Sequence, residues 1–493
     1  MKKLILLFYA LGMAMSSWAY SFVSGNVYYT ITSASAPYTV EVSNSGKTKS
    51  YSDVTITIPS TATNSNTGIT YTVTAIGESA FQSCSSITSV TLPSTITNIK
   101  DNAFNSCSGL TSFTIPSGVD SISYSAFNYC KKLTTLTVDS ANTRYKAVSN
   151  ILYNKNLTKL VLYLPYLPGT SFSIPSTVDT ISNFAFYNSA LTSVTIPSSV
   201  KIIGSYAFGY CYSLTSLALP SSVSSIGLGA FTSCSKIKTI TVDTANTHFT
   251  AVDSVLFSKD LKTLIFYPAL KTVTSYTIPS QVDSIADYAF WNCSNLTSIT
   301  IPNSVTSLGL GVFEDCTKLT SITIPSSITS LPYATFYYCK KLASVTLSAY
   351  ITSIGDVAFY DCSALKNFYV YSETPASLTT SNIFNGVTTA LCSLFVPKNS
   401  VSAYQASAWN KFNIIGMETS AITNTGISTL KVSVSNGNAV ITGAEAGTAL
   451  NVYNLQGIAI YSGKTSGENQ NIPLPAHGVY IVQLGDKSVK VIY

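Results

Sequence analysis

Charge is what this chain has least of. Asp, Glu, Lys and Arg make up 10% of its 493 residues, well under the usual quarter. Arg144 is the only arginine, and His248 and His477 are the only histidines. Proteins that read nucleic acid or clamp phosphates lean on the two-pronged hydrogen bonding of arginine, so no nucleic-acid partner is expected, despite a formal charge of +6. Two histidines leave almost no material for a Ser/His/Asp or Cys/His arrangement. C-x-x-C occurs nowhere, which removes the usual zinc spacing. Glycines are spread through turns, with no phosphate-cradling loop. Beyond the N-terminus no apolar run is long enough for a membrane helix.

What is present is hydroxyl and apolar surface. Hydrophobic residues reach 46%, with 32 Tyr and 22 Phe, enough to fill a large core. At the start, Lys2 and Lys3 precede an apolar stretch, Leu4 to Met15, and Ser17 and Ala19 supply small residues before Tyr20. This reads as a signal peptide over 1–19, cleaved near Ala19, so the mature chain is expected to be secreted or on the outer cell surface. The alternative, an anchor helix, would need a longer apolar span.

A repeat dominates the rest. LTSFTIPSGVDSISYSAFNYCKK from Leu110 returns as LTSITIPNSVTSLGLGVFEDCTK from Leu296, with a period of 23 residues. Cys84, Cys107, Cys130, Cys211, Cys234, Cys293, Cys316, Cys339 and Cys362 each follow a Phe by three residues, and Ser189 takes that place in a tenth copy. Two spacings, Cys130 to Ser189 and Cys234 to Cys293, are 59 residues long and align with one another. Counting LxxLxL-like units gives thirteen between Ile87 and Leu391, including those at Leu157 and Leu261 inside the long spacings. Within each unit the alternation predicts a strand with one buried face. A following Pro, as at Pro116 or Pro302, ends that strand. One repeat cannot enclose a core, but a stack can. The fold class expected is a β-rich repeat solenoid, a right-handed leucine-rich-repeat stack with little regular helix, followed by a small C-terminal β-sandwich.

These repeats resemble the BspA-like leucine-rich-repeat family of bacterial surface and secreted proteins. The resemblance rests on the LTSxTIPxSVxxIGxxAFxxC pattern, an opening cap before GESAF and a closing segment from Val396 to Gly416. It implies a non-catalytic adhesin or interaction scaffold whose partner is an extracellular or cell-surface protein, host proteins included. The organisation expected is a lead-in over 20–83, repeats over 84–390, a cap over 391–416, a linker over 417–428 and a β-module over 429–493. That module, with VYNLQG at Val452 to Gly457, GVY at Gly478 to Tyr480 and Lys490, resembles the sorting domains of type IX export. A retained β-module is the alternative.

The periodic cysteines invite a disulfide or metal reading. Equivalent positions on successive rungs should point the same way into the core, where thiols act as small apolar fillers. Cys392 stands outside the pattern. Glu314-Asp315, Asp356 and Asp361 read as solvated turn charges, so no catalytic, cofactor or metal site is assigned, and a surface hydrolase is the least favoured function. What remains is surface. The third and fifth residues of each unit, such as Ser112 and Thr114 or Ser321 and Thr323, should face outward; Thr suits strands in any case. Asn367, Tyr369 and Phe395 take those places in the last units. Aromatics crowd the turns near the Ala-Phe pair, at Tyr129, Tyr187, Tyr210, Trp291, Tyr337, Tyr338 and Tyr360. Of these, Tyr210, Trp291, Tyr337, Tyr338 and Tyr360, with Tyr369 and Phe395, form the candidate binding surface, for protein or for glycan. The alternative is that the rings cover the core edge.

Overall fold

The computed structural model describes residues 20–46, 51–417, 431–435, 438–442, 444–454, 459–467, 470–474, 479–485 and 487–492. The expected signal peptide, the expected linker beyond Met417, and His477 lie outside them. Two compact units are present. The first runs to Tyr369 and adds Pro375–Ser393 and Lys411–Asn413; the second holds Val370–Thr374, Leu394–Asn410 and the chain from Ile414 onwards.

The first unit is a β-solenoid, and each 23-residue repeat forms one turn of it. The Ser-x-Thr segment makes the first strand. Ser112–Ile115 pairs in parallel with Thr135–Val138, setting Ser112 beside Thr135 and Thr114 beside Thr137. Its burial alternates, with Phe113 and Ile115 inside and Ser112 and Thr114 outside, as a strand with one dry face must. A second, two-residue strand follows the proline turn; Ser121–Ile122 pairs in parallel with Asn98–Ile99. The Ala-Phe segment closes the turn. It is irregular, yet its backbone is laddered too: the Phe81 N–H donates to Ala103 O at 2.7 Å and Phe104 N–H to Ala126 O at 2.8 Å. Stacking therefore satisfies polar groups that an isolated turn would leave buried and unpaired.

The Phe column is the axis of the core. Phe81, Phe104 and Phe127 succeed one another at 5.1 and 5.6 Å. After the first long repeat the column resumes at Tyr163, which meets Phe186 at 5.3 Å. After the second it resumes at Tyr267, 5.0 Å from Phe290, and runs on through Phe313, Phe336, Phe359 and Phe384. Ring spacings near 5 Å follow from the strand spacing of about 4.8 Å.

The long repeats correct the sequence reading. Leu157 and Leu261 do not lead first-sheet strands. Both are half-buried turn residues with φ near +60°. The strands that follow, Lys159–Leu162 and Thr263–Phe266, pair with Thr180–Ile181 and Ser284–Ile285 in the second sheet. Each is preceded by a hairpin, Tyr145–Val148 with Ile151–Asn154 and Phe249–Val252 with Val255–Ser258. The first-sheet strands of these turns are instead Ser171–Ser173 and Ser275–Thr277. They lack the leading leucine, and the signal that could have found them is the Thr-Ser-aromatic-x-Ile-Pro run they share with other rungs. Leu391 is a second correction: it is 79% exposed, and Cys392 is the buried residue. A 3₁₀ turn over Thr389–Leu391 displaces the leading leucine, while Leu394 and Val396 keep the buried places of the strand.

The second unit contains the helix Val401–Gln405, with Tyr404 and Trp409 fully buried. The Tyr404 hydroxyl donates to Ser372 O at 2.9 Å. Further along, Lys431–Ser435, Asn438–Thr442 and Gln470–Pro473 form one sheet. Ala459–Lys464, Ala449–Asn454, Val479–Leu484 and Lys487–Ile492 form another. Ala439, Ile441, Leu450, Val452, Ile472 and Val482 make up their shared core, which is the C-terminal β-sandwich.

Candidate interaction surfaces

The turn that carries the Phe column also shapes the outer ridge. The residue two places after the Phe is left-handed in ten repeats, from Ser83 at φ +63° to Asp361 at +55°. Ser, Asn and Asp, which tolerate this conformation, fill most of these places; Tyr129, Tyr210 and Tyr338 fill three, each at +59°. The thiols lie just inside. All ten cysteines are free and buried. Cys107 Sγ donates to Phe81 O and Cys130 Sγ to Phe104 O, both at 3.0 Å. Cys316, Cys339 and Cys362 repeat the bond to the preceding Phe carbonyl at 3.1 to 3.2 Å. Each of these five cysteines is thus both an apolar filler and a weak donor to the rung before it.

Three of the candidate aromatics come together. Tyr337 and Tyr360 stack at 5.0 Å, and Tyr338 meets them at 4.4 and 5.8 Å. Lys340 lies 5.1 Å above the Tyr338 ring and 3.5 Å from the Asp361 carboxylate. Two rungs earlier in the same turn stands Trp291, with Glu314 on the rung between. Glu314 is not the solvated charge its sequence position suggested. Burial pushes its carboxyl up to about 7, against a hydrogen bond from Trp291 that lowers it, while the charge of Asp315 raises it further. Tyr210 stands apart, 5.0 Å from Tyr187 and 5.9 Å from Tyr212. Tyr369 and Phe395 fall in different units. All seven candidates are half-buried.

A second aromatic column escaped sequence reasoning. Phe184, Tyr206 and Tyr288 lie two residues before the Phe, and Tyr124 lies three before Phe127. Phe184 stacks on Tyr124 at 3.4 Å and on Tyr206 at 5.1 Å, and Tyr206 reaches Tyr288 at 6.3 Å. Burial pushes the Tyr206 hydroxyl up to about 12, although a hydrogen bond with Tyr288 pulls the other way. Gly229 and Gly311 occupy the same place on the rungs after these tyrosines. Both are left-handed, and a Cβ there would come within 2.9 Å of Tyr206 and 2.5 Å of Tyr288. The legible signal was the alternation Tyr206, Gly229, Tyr288, Gly311.

The first sheet presents Ser193, Thr195, Ser298, Thr300, Ser321 and Thr323 to solvent. Neighbouring hydroxyls bond across rungs, as Thr114 does to Thr137 at 2.9 Å. On the second sheet each long repeat opens a groove. The first, of about 960 Å³, lies between Asp101, Asp120 and Tyr124 on one wall and Arg144, Lys159 and Leu162 on the other. The second, of about 770 Å³, is lined more by apolar side chains, among them Ile226, Phe249, Ile265 and Phe266. Among the described residues no group of three His, Cys, Asp or Glu is placed to hold a metal ion. No described helix is long and apolar enough to cross a membrane.

Several solved structures resemble this chain. A leucine rich cell surface protein from Faecalibacterium prausnitzii is 28% identical, over 80% of this chain and 94% of that one, with a TM-score of 0.45. The pneumococcal vaccine antigen PcpA is 20% identical over 81% and 99%, with a TM-score of 0.47. A leucine-rich repeat protein from Bacteroides ovatus is 23% identical over 81% and 100%, with a TM-score of 0.36. No curated protein matches. The model of the BspA type leucine rich repeat region matches in six copies, over residues 58–164, 166–277 and 259–390. With two thirds of its length covered by that repeat, the chain belongs to the BspA type leucine-rich-repeat family.

Proposed function

We propose that this protein is a non-catalytic scaffold or adhesin that works outside the cell, holding other proteins against the solenoid. The observation that carries this reading is the division of labour within each rung. Phe, Cys, Ala, Val and Ile fill the interior almost without change, so variation between rungs is confined to exposed turns, grooves and strand faces, where partner choice is made. Residues 1–19 fit a segment removed on export. The boundaries 20–83, 84–390, 391–416, 417–428 and 429–493 are part of the same reading, with the last segment as an export-sorting module. The test is direct. Purified mature protein should bind at least one extracellular-matrix, host-surface or bacterial-surface protein at micromolar concentration, and a blank across such a panel would sink the proposal. Mass spectrometry of the exported protein should find Tyr20 as the first residue and show whether 429–493 is retained.

A second reading is favoured by the joined rings of Tyr337, Tyr338 and Tyr360. Half-exposed aromatics amid hydroxyls suit sugar stacking, which makes a glycan the alternative partner. Under this reading Trp291→Ala and Tyr338→Ala each abolish a glycan-array signal. A signal that survives both removes the aromatic ridge from consideration.

A further inference from the structure

The two long repeats build the same framework and line it with opposite chemistry. Asn142 and Asn246 anchor the two hairpins through identical sets of bonds, and Leu152 and Leu256 are both fully buried beneath them. Around the first groove, however, stand Glu78, Asp101, Asp120, Arg144 and Lys159. The residues that align with these in the second long repeat are Asn183, Ser205, Ser224, His248 and Thr263; of them Thr263 lines the second groove, whose one carboxylate is Asp287. The hairpin therefore folds without these charges. In a chain so poor in charge, and with a single arginine, their gathering in one groove is a property of the lining and not of the fold.

The charges are sorted by wall. Glu78, Asp101 and Asp120 come from rungs before the seam, and Arg144 and Lys159 from the inserted hairpin and the strand after it. Lys100, on the acidic side, is tied to Glu41 at 2.5 Å. The two ion pairs among the described residues, Lys100 with Glu41 and Lys340 with Asp361, leave Arg144 and Lys159 without a carboxylate. The backbone is open here as well. In regular rungs the next turn donates to the second strand, as Ser123 N–H does to Ile99 O at 2.8 Å and Gly204 N–H to Ile181 O at 2.9 Å. At the seam the chain leaves for the hairpin, and no described backbone N–H reaches Ile122 O. The Tyr145 hydroxyl donates to the neighbouring Asp120 O at 3.1 Å and accepts from the backbone N–H of Ile122, which leaves the Ile122 carbonyl as the open group.

Resting on the protein-binding reading above, we propose that this groove receives an extended segment of a partner protein carrying both acidic and basic side chains. The acidic side chains meet Arg144 and Lys159, the basic ones meet Asp101 and Asp120, and a backbone N–H of the segment bonds to Ile122 O. Extended segments add to open strand edges in this manner. A simple anion would face three carboxylates, and a neutral sugar would use none of the charges. The volume stands at the upper end of the roughly 300–1,000 Å³ typical of binding pockets.

The experiment uses the full chain and three fluorescent decapeptides: alternating Lys and Glu, all Lys, and all Glu, followed by fluorescence polarisation. The alternating peptide should bind best, and more weakly as salt rises. Arg144→Ala with Lys159→Ala should weaken it roughly tenfold or more. His248→Ala with Thr263→Ala, at the second seam, should leave it unchanged. Arg144→Glu with Lys159→Glu should turn the preference towards the all-Lys peptide. Arg144 and Lys159 are exposed, so circular dichroism and thermal midpoints should match the parent. Preference for a single-sign peptide, equal loss at both seams, or no binding of the alternating peptide at millimolar concentration each overturns the groove. Surface-protein capture is measured separately; its persistence in the double variant would leave the scaffold reading standing while the groove fails.

Discussion

Buried groups decide the chemistry of single residues in this protein. Burial pushes the Cys130 and Cys392 thiols up to about 12, and the fully buried Cys234, Cys293 and Cys339 go the same way. The thiolate is the reactive form, and all the regular cysteines are buried away from reagents, so they are inert in the native state. Iodoacetamide at pH 8 should leave native protein unlabelled and modify all ten cysteines in denaturant; rapid labelling of any repeat cysteine in the folded chain would contradict this. Glu314 has the opposite consequence. Its carboxyl is raised on folding from an ordinary value of 4.5 to about 7, so the folded state holds the proton more tightly. Between those two values stability falls as pH rises, and above about 7 the buried charge is a standing cost. Glu314→Gln keeps the shape and a hydrogen-bond acceptor for Trp291. It should raise stability at pH 8 by on the order of 1–3 kcal/mol and change little at pH 4. Urea midpoints at the two pH values check it, and equal gains at both would show that burial of the charge is not the cause.

At the scale of elements, the inserted hairpins depend on one side chain each. Asn142 is fully buried. It donates to Pro116 O and Val119 O at 2.8 and 2.9 Å, and accepts from the N–H groups of Arg144 and Tyr145 at 2.8 Å. Asn142→Ala removes four hydrogen bonds made by a fully buried side chain and should cost about 3–5 kcal/mol. Hydrogen exchange should then accelerate over Tyr145–Val148 and Ile151–Asn154, and unchanged protection there would refute the anchoring role. The sequence showed this motif without its meaning. The Ala-Asn-Thr run recurs in both long repeats, but nothing local says that an asparagine reaches back to the preceding turn. The regular rungs were legible because apolar alternation and a following proline are local signals. Leu157 and Leu261 were misread because a leucine in a left-handed turn looks, in sequence, like one that leads a strand. The ridge was partly legible: Tyr337, Tyr338 and Tyr360 do meet. The buried carboxyl of Glu314 was not visible, and the Tyr124–Phe184–Tyr206 column left only the tyrosine–glycine alternation as its trace, since both arise only when rungs are stacked.

For the first unit as a whole, the seams set how far a disturbance spreads. Stability in a stack is a sum of rung terms and nearest-neighbour terms. Within each run of the Phe column the neighbour term includes face-to-face aromatic contact, such as Phe313 with Phe336 at 5.5 Å. At the two hairpins the column is interrupted between Phe127 and Tyr163 and between Phe231 and Tyr267, and the second sheet is broken as well. With the stacking lost, and an edge-on contact of Phe231 with Phe266 at 5.9 Å in its place at the second seam, coupling across a seam should be weaker than coupling within a run. Phe313→Ala, in the middle of the third run, should cost about 3–5 kcal/mol. Its effect on hydrogen exchange should concentrate in the strands from Ser298–Thr300 to Asn367–Val370. Protection of Ser112–Ile115 and Thr135–Val138, two seams away, should stay at the parent level. A uniform loss of protection along the solenoid would instead show one cooperative unit and deny the hairpins any insulating role. An effect confined to the third run would mean that the hairpins which open the grooves also let one part of the surface be remodelled without unfolding the rest.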